Sequence, residues 1–211
     1  MWIPEAFRRG LHVLKTEGCY HLFKAVYSHL YCDETYFLYM KALDGNSPVL
    51  SINLMDGMEL ILINSTDQYT KLLDSGFDFK NTIFRKRLKT SCKAFCLFEN
   101  KQLAHVTWIA LNNDGKKEID YLPFKVDFDN GEICSGASYT EPKYRGKGLL
   151  SYTYAAIFSY LDEIGITKDI FTINVNNLPS NKAHSKFNPS IIGKYRYLKI
   201  TLWERWVKIE N

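Results

Sequence analysis

No two cysteines stand in a Cys-x-x-Cys pair, and the five present (19, 32, 92, 96, 134) are an odd number, which argues against both a disulfide framework and a zinc framework. His12, His21 and His29 lack ligand spacing, so no metal site is expected. No stretch approaches the roughly 20 apolar residues that a membrane span needs. Met1-Trp2-Ile3-Pro4-Glu5 carries neither a charged leader nor the apolar run of a signal peptide. Repeats and low-complexity segments are absent. A dense basic stripe is missing too: the net charge of +4 is mild and suits an anionic cofactor or partner better than a nucleic acid. These absences leave a reduced, cytoplasmic, globular protein. Its 211 residues, 46% hydrophobic and 24% charged, suffice for one domain with a real core.

What is present concentrates in Tyr139-Thr140-Glu141-Pro142-Lys143-Tyr144-Arg145-Gly146-Lys147-Gly148-Leu149. A strand-like run, Ile133 to Thr140, leads into it and a long apolar-periodic segment follows. Backbone N–H groups at such a strand–turn–helix junction lack intrahelical partners and attract phosphate or pyrophosphate. Gly146 and Gly148 let the backbone approach the anion, and Lys143, Arg145 and Lys147 add charge. A solvated basic turn capping a structural helix is the plain alternative. The stretch lacks the Gly-Lys-Ser/Thr ending of a P-loop, and Ser151 stands where a dinucleotide fingerprint needs its third glycine.

Residues 4–31 read as helical, broken near Gly10 and Gly18, with an apolar side and a basic side. Such a segment packs on a sheet or lies on a membrane surface. Strands are expected over Tyr36 to Leu43 and Glu59 to Ile63, then a helix opened by the capping box Ser65-Thr66-Asp67-Gln68. A second helical piece covers Asn81 to Thr90. Ala94 to Phe98 and Leu103 to Leu111 form a hairpin around Glu99-Asn100-Lys101-Gln102. Asn112 to Lys117 reads as a plain turn, and residues 118–130 are ambiguous. After the basic loop, Leu150, Tyr154, Ile157, Leu161 and Ile164 mark a buried helix face that stops at Gly165. Ile170 to Val175 is a strand and Ser180 to Phe187 a short helix ended by Asn188-Pro189. Two strands, Ile191 to Tyr197 and Ile200 to Lys208, close the chain. The aromatics of these last strands (Tyr195, Tyr197, Trp203, Trp206) are accounted for by sheet packing, with stacking on a ligand as the alternative. Strand alternation puts Glu132, Cys134, Gly136 and Ser138 on one face.

This order of elements resembles the GNAT superfamily, the Gcn5-related N-acetyltransferases. The family's loop motif, Arg/Gln-x-x-Gly-x-Gly/Ala, falls on Arg145, Gly148 and Leu150; the first two match, and Leu150 departs from the usual small residue. Asn177-Leu178-Pro179-Ser180 matches the later Asn-x-x-Ala/Ser pattern. The resemblance covers residues 58–208. It implies an α+β fold, a three-layer α/β/α sandwich with a central mixed, mostly antiparallel sheet. Residues 58–211 would be the acyltransferase domain and residues 1–57 a helical and strand extension packed on it. It further implies transfer of acetyl from acetyl-CoA to a primary amine by direct attack, with no metal. The acceptor is a small molecule, with an amino sugar as one lead. Alternatives are a longer-chain transferase served by an acyl carrier protein, or an inactive protein that binds CoA or a partner. Surface association would fall to residues 1–31.

The resemblance also distributes roles. Tyr139, Thr140, Arg145, Gly146, Lys147, Gly148, Leu149, Leu150 and Asn177 would hold the cofactor. The family's catalytic glutamate position falls on Cys134, which suits a small buried filler, and Glu132 is the nearest carboxylate for a base. His184 stands where the family often has a tyrosine that protonates the leaving thiolate. For Glu132 the plain alternative is a surface carboxylate, for His184 a packing role; His105, mid-strand, reads as structural.

Overall fold

The computed structural model describes residues 31–43, 57–79 and 83–209. The helix expected over 4–31 therefore lies outside the described residues, apart from its last position, as do His12, His21 and His29. Among the described residues the chain forms one eight-stranded sheet in the order β2-β3-β4-β5-β6-β1-β7-β8. The strands are β1 (Tyr31–Ala42), β2 (Met58–Ile63), β3 (Cys92–Glu99), β4 (Gln102–Ala110), β5 (Glu132–Thr140), β6 (Lys168–Asn174), β7 (Ser190–Ile200) and β8 (Trp203–Lys208). Every neighbouring pair is antiparallel except β5 and β6.

One face carries α1 (Thr66–Asp74), α2 (Ile83–Leu88) and α3 (Asn113–Ile119); the other carries α4 (Leu149–Glu163) and α5 (Leu178–Ser185). The result is the three-layer α+β sandwich with a mixed, mostly antiparallel open sheet. On the first face Tyr69, Phe84, Leu88 and Ile119 pack with Trp108, Val106, Cys134 and Ile170 of the sheet. On the second, Tyr154, Ile157, Phe158 and Leu161 of α4 cover Phe95, Ile109 and Ile133.

Local signals explain most boundaries. Ser65 Oγ accepts the N–H of Gln68 at 3.1 Å, and the Gln68 side chain returns to the N–H of Asn64 at 3.0 Å, so the capping box forms with its return bond one residue upstream. The β3–β4 hairpin turns on Asn100 and Lys101 with φ of 50° and 63°. α4 ends where Gly165 adopts φ 74° and Ile166 N–H reaches Leu161 C=O at 2.9 Å. The stretch expected to be a plain turn, Asn112 to Lys117, is instead the start of α3. Asn112 Oδ1 caps it by accepting the Gly115 N–H at 2.7 Å, and the buried Ile119 anchors its end.

The larger difference concerns β1. Residues 31–42, expected within an extension packed on the core domain, form a strand inside the sheet, between β6 and β7. Tyr36 and Leu38 enter the core on the α1–α3 face, while Phe37 and Tyr39 pack with Phe171 and Ile173 on the other. A strand apolar on both faces is stable only in a sheet interior. Beyond it, Tyr195 stacks on Trp206 (ring centroids 4.7 Å) and Tyr197 is buried, so these aromatics pack within the sheet; Trp203 stays half exposed.

Candidate functional site

β5 and β6 run side by side for three pairs only, from Glu132↔Lys168 to Cys134↔Ile170, and then part. At the fork sits Asp169, with no solvent exposure. Its carboxylate accepts the Ser135 N–H at 3.0 Å and the Ser135 hydroxyl at 2.7 Å. Ser135 Oγ, having given its proton to Asp169, accepts from the Tyr154 hydroxyl at 3.0 Å. Burial pushes the Asp169 pKa up to about 7 against the pull of both Ser135 bonds. Burial, followed by the nearby Asp169, also drives the Tyr154 phenol far above its ordinary value.

A second irregularity lies further along β5. The β4–β5 register shifts between Val106 and Trp108, and Ala137 adopts φ 47°. This bulge breaks the alternation expected for β5. Cys134, before it, stays in the core of the α1–α3 face. Ser138, after it, joins the opposite face, bonded to Thr107 (2.9 Å) in a chain that runs on to His105 (3.0 Å) and Thr140 (2.7 Å). Glu132, Cys134, Gly136 and Ser138 therefore do not share one face. His105 is wholly buried in this chain, and burial lowers its pKa to about 4, which keeps it neutral and structural.

Three cavities meet at the bulge, and Ser138 lines all of them. The first, about 590 Å³, lies between the basic loop and α5. The second, about 290 Å³, occupies the fork itself and is lined from both faces of the sheet. Tyr36 and Thr172 line it from the α1–α3 face, Tyr154 and His184 from the other. The third, about 530 Å³, opens on the α1–α3 face among Phe79, Phe84, Trp108 and Tyr139.

The first cavity is built mainly by backbone. Gly146 and Gly148 adopt φ of 75° and 79°, and a Cβ on either would project into open space. Gly148 N-caps α4 without a side-chain bond. Among the described residues, no acceptor is hydrogen-bonded to the N–H groups from Gly146 to Ser151. The turn is held from below by Tyr144, buried and hydrogen-bonded to Glu99. Arg145 Nε donates to the Thr140 carbonyl at 3.2 Å. An anionic group fits this concavity: there is room where the Cβ atoms would be, and a ring of donors without partners.

The structure brings Tyr139, Thr140, Arg145, Gly146, Gly148, Leu149, Leu150 and Asn177 together around this cavity. Lys147 is not among its lining residues; its ammonium lies 5.3 Å from the Tyr144 ring centroid. Leu150 lines the cavity and also packs, partly buried, on the α4 core. Asn177 spends its side-chain oxygen on the Ser180 N–H at 3.2 Å, capping α5. Lys182 and Lys186 of α5 and its C-terminal end complete the lining, a contribution that motif reasoning missed although their four-residue spacing places them on one side of the helical segment.

His184 lies at the fork, buried between Tyr154 (ring centroids 4.7 Å) and Phe171 (5.0 Å). Its Nδ1 is 2.8 Å from the Ser180 carbonyl, which only accepts, so Nδ1 carries the proton and Nε2 is the acceptor. Burial lowers its pKa, opposed by the Ser180 bond. Glu132 is not brought to the cavities. At the far end of β5, its carboxylate takes the Asp127 N–H (2.9 Å) and pairs with Lys168 (3.3 Å). Among the described residues no group of His, Cys, Asp and Glu is arranged to hold a metal, and no helix is long and apolar enough to cross a membrane.

No protein-family profile matches the chain, and no curated protein matches it. Solved structures do. A GCN5-related N-acetyltransferase-like protein from Streptococcus suis is 16% identical with a TM-score of 0.52, over 88% of this chain and 68% of that one. A GCN5-related N-acetyltransferase from Sphaerobacter thermophilus is 10% identical with a TM-score of 0.52, over 92% of this chain and 58% of the other. A tandem GNAT protein from the clavulanic acid biosynthesis pathway is 13% identical with a TM-score of 0.52, over 91% and 57%. The chain thus spans about 57–68% of the length of these structures, and the likeness is one of fold.

Proposed function

We propose that this chain, which has the GNAT fold, is an acyl-CoA-dependent N-acyltransferase that uses acetyl-CoA as donor and a small primary amine as acceptor. The observation that carries the reading is that Ser138 lines three cavities, the cradle of unpaired N–H donors, the fork cavity lined from both faces of the sheet, and the aromatic cavity. Two substrates approaching from opposite faces would meet there.

On the donor side, Arg145 and the N–H groups from Gly146 to Ser151 would hold the pyrophosphate, with Lys182 and Lys186 supplying further positive charge. Asn177 and Ser180, which line both the cradle and the fork, would flank the pantetheine arm. Bound this way, acetyl-CoA supplies an activated acyl group as a thioester. Beyond Cys134, β5 has no ladder partner on its β6 side; Asp169 takes the Ser135 N–H there, and the backbone groups further along would orient a carbonyl.

On the chemical side, the role of His184 changes from that implied by the resemblance. A neutral imidazole whose Nδ1–H is committed to Ser180 has no proton to offer a thiolate, but its Nε2 can accept one from the attacking amine. Asp169, Ser135 and Tyr154 would keep the fork open and ordered.

The test is the thermal midpoint with acetyl-CoA, CoA and a long-chain acyl-CoA, followed by CoA release with an amine panel. A donor at 100 times its Kd stabilises the folded state by about 2.7 kcal/mol. A rise with acetyl-CoA and amine-dependent release of CoA is expected. Binding without turnover would leave a CoA-binding protein. No shift, with turnover only from a carrier-bound acyl group, would transfer the donor role to an acyl carrier protein.

A further inference from the structure

The aromatic cavity has a composition that the cradle and the fork do not share. Phe79, Phe84 and Trp108 form a continuous wall, with ring centroids 4.8 Å apart for both Phe79–Phe84 and Phe84–Trp108. Leu103 and Val106 extend it, and Ala137 and Ser138 of the bulge also line it. Into this largely apolar setting the chain places two charged side chains, the guanidinium of Arg87 among the aromatic rings and the carboxylate of Glu141 just past the end of β5.

Arg87 is held in place but not neutralised by contact. Its Nε donates to the Glu118 carbonyl at 3.1 Å, and its guanidinium carbon lies 5.1 Å from the Trp108 ring centroid. The Glu118 carboxylate is bonded elsewhere, 2.8 Å from the Lys86 ammonium, and reaches Arg87 only through space. Among the described residues no carboxylate forms a salt bridge with Arg87, and its Nη groups have no protein acceptor. Burial lowers its pKa, but an arginine keeps its charge at any physiological pH. Half-buried donors without acceptors are costly, and a planar carboxylate satisfies two of them at once.

We propose that the acceptor is an amine that also carries a carboxylate and a large apolar group, an aromatic or branched amino acid being the simplest member of that class. This rests on the acyltransferase reading for the amine's role, and on the cavity alone for the carboxylate and the apolar body. Arg87 takes the carboxylate, the aromatic wall takes the side chain, and the amine faces the bulge at Ser138. A volume of about 530 Å³ is within the usual range for a small-molecule site. A neutral amino sugar would leave Arg87 unpaired.

The test separates the carboxylate from the chemistry by using 3-phenylpropanoate, which has the acid and the ring but no amine, with 3-phenylpropanamide as its uncharged control. The acid should raise the thermal midpoint of the wild-type protein and the amide should not; in Arg87→Gln the acid should lose its effect. Because Arg87 also packs on Trp108, Arg87→Lys serves as a second variant that keeps the charge and should keep part of the shift. An acid that fails to shift the wild type, or shifts Arg87→Gln equally, overturns the proposal. Acetyl-CoA titrated separately reports on the cradle, so failure of the transferase reading shows as loss of that response while the acid still binds. In turnover, L-phenylalanine should exceed phenethylamine in kcat/KM by at least about tenfold, the worth of one charge-assisted pair. Equal rates, or preference for glucosamine, would also overturn it.

Discussion

The cradle and the aromatic cavity share Ser138 and Tyr139 but are made in opposite ways. The cradle comes largely from one continuous stretch, residues 138–151, and works through backbone N–H groups. The aromatic cavity gathers Phe79, Arg87, Trp108 and Tyr139 from separate segments and works through side chains. A site of the first kind follows from local conformation, since positive-φ glycines before a helix suffice to present donors. A site of the second kind exists only once the sheet has formed. The fork lies between them, joining both kinds at Ser135 and Ser138.

The largest effect should come from the backbone-made side. Gly148→Trp puts a bulky side chain at φ 79°, into the open space over the cradle. Acetyl-CoA affinity should fall by more than about 100-fold, with a conformational cost of only about 1–2 kcal/mol. Calorimetric titration and the unliganded midpoint together check this. Wild-type affinity would break the contrast, because the cradle would then not be the site.

At the fork, Asp169→Asn probes what holds the strands apart. A carboxyl raised from 3.8 to about 7 on folding gives stability that is fully present below pH 3.8 and is lost progressively as pH rises to about 7. The loss is on the order of 4 kcal/mol. The variant should remove that slope between the two pKa values, measured by denaturant unfolding; an unchanged slope would mean that Asp169 is ionised throughout.

His184→Gln sharpens the division between binding and chemistry. Loss of the proton acceptor should lower kcat by about 100-fold, while the KM for acetyl-CoA stays within about threefold. Because burial lowers the His184 pKa, wild-type kcat should hold as pH falls and decline only below the ordinary histidine value of 6.5. A rate that instead declines as pH rises through that region would restore the proton-donor role.

The smallest effect tests whether side-chain charge matters at the cradle at all. Lys182→Gln with Lys186→Gln, both lining the cavity, should weaken acetyl-CoA binding several-fold and reduce its salt dependence. Lys147→Gln, whose ammonium lies over Tyr144, should leave binding within about twofold. Equal losses would mean that long-range charge, not position, sets the affinity.

Legibility follows the same division. The capping box, the hairpin turn, the glycine stop of α4 and the basic loop are all readable from short windows, and eight of the nine residues expected at the cofactor site line the cradle. Lys147 falls outside because a lysine beside a glycine turn can as well lie over a neighbouring ring. Glu132 departs because it sits at the far end of β5, paired with Lys168, and the shared face of β5 departs for another reason. The bulge at Ala137 leaves no mark in composition, so alternation carries the reading straight through a residue that interrupts it. β1 is legible as a strand but not as part of the central sheet, although its run of apolar residues on both faces marks an interior strand.

By itself, the sequence determined most of the elements, their order and a basic glycine turn with unpaired N–H donors, because propensity, capping and positive-φ glycines act over a few residues. Only the tertiary structure decided that β1 enters the sheet beside β6, that the strands fork at Asp169, and that Arg87 faces an aromatic wall. Those depend on which distant side chains are buried together, and burial is a property of the assembled layers.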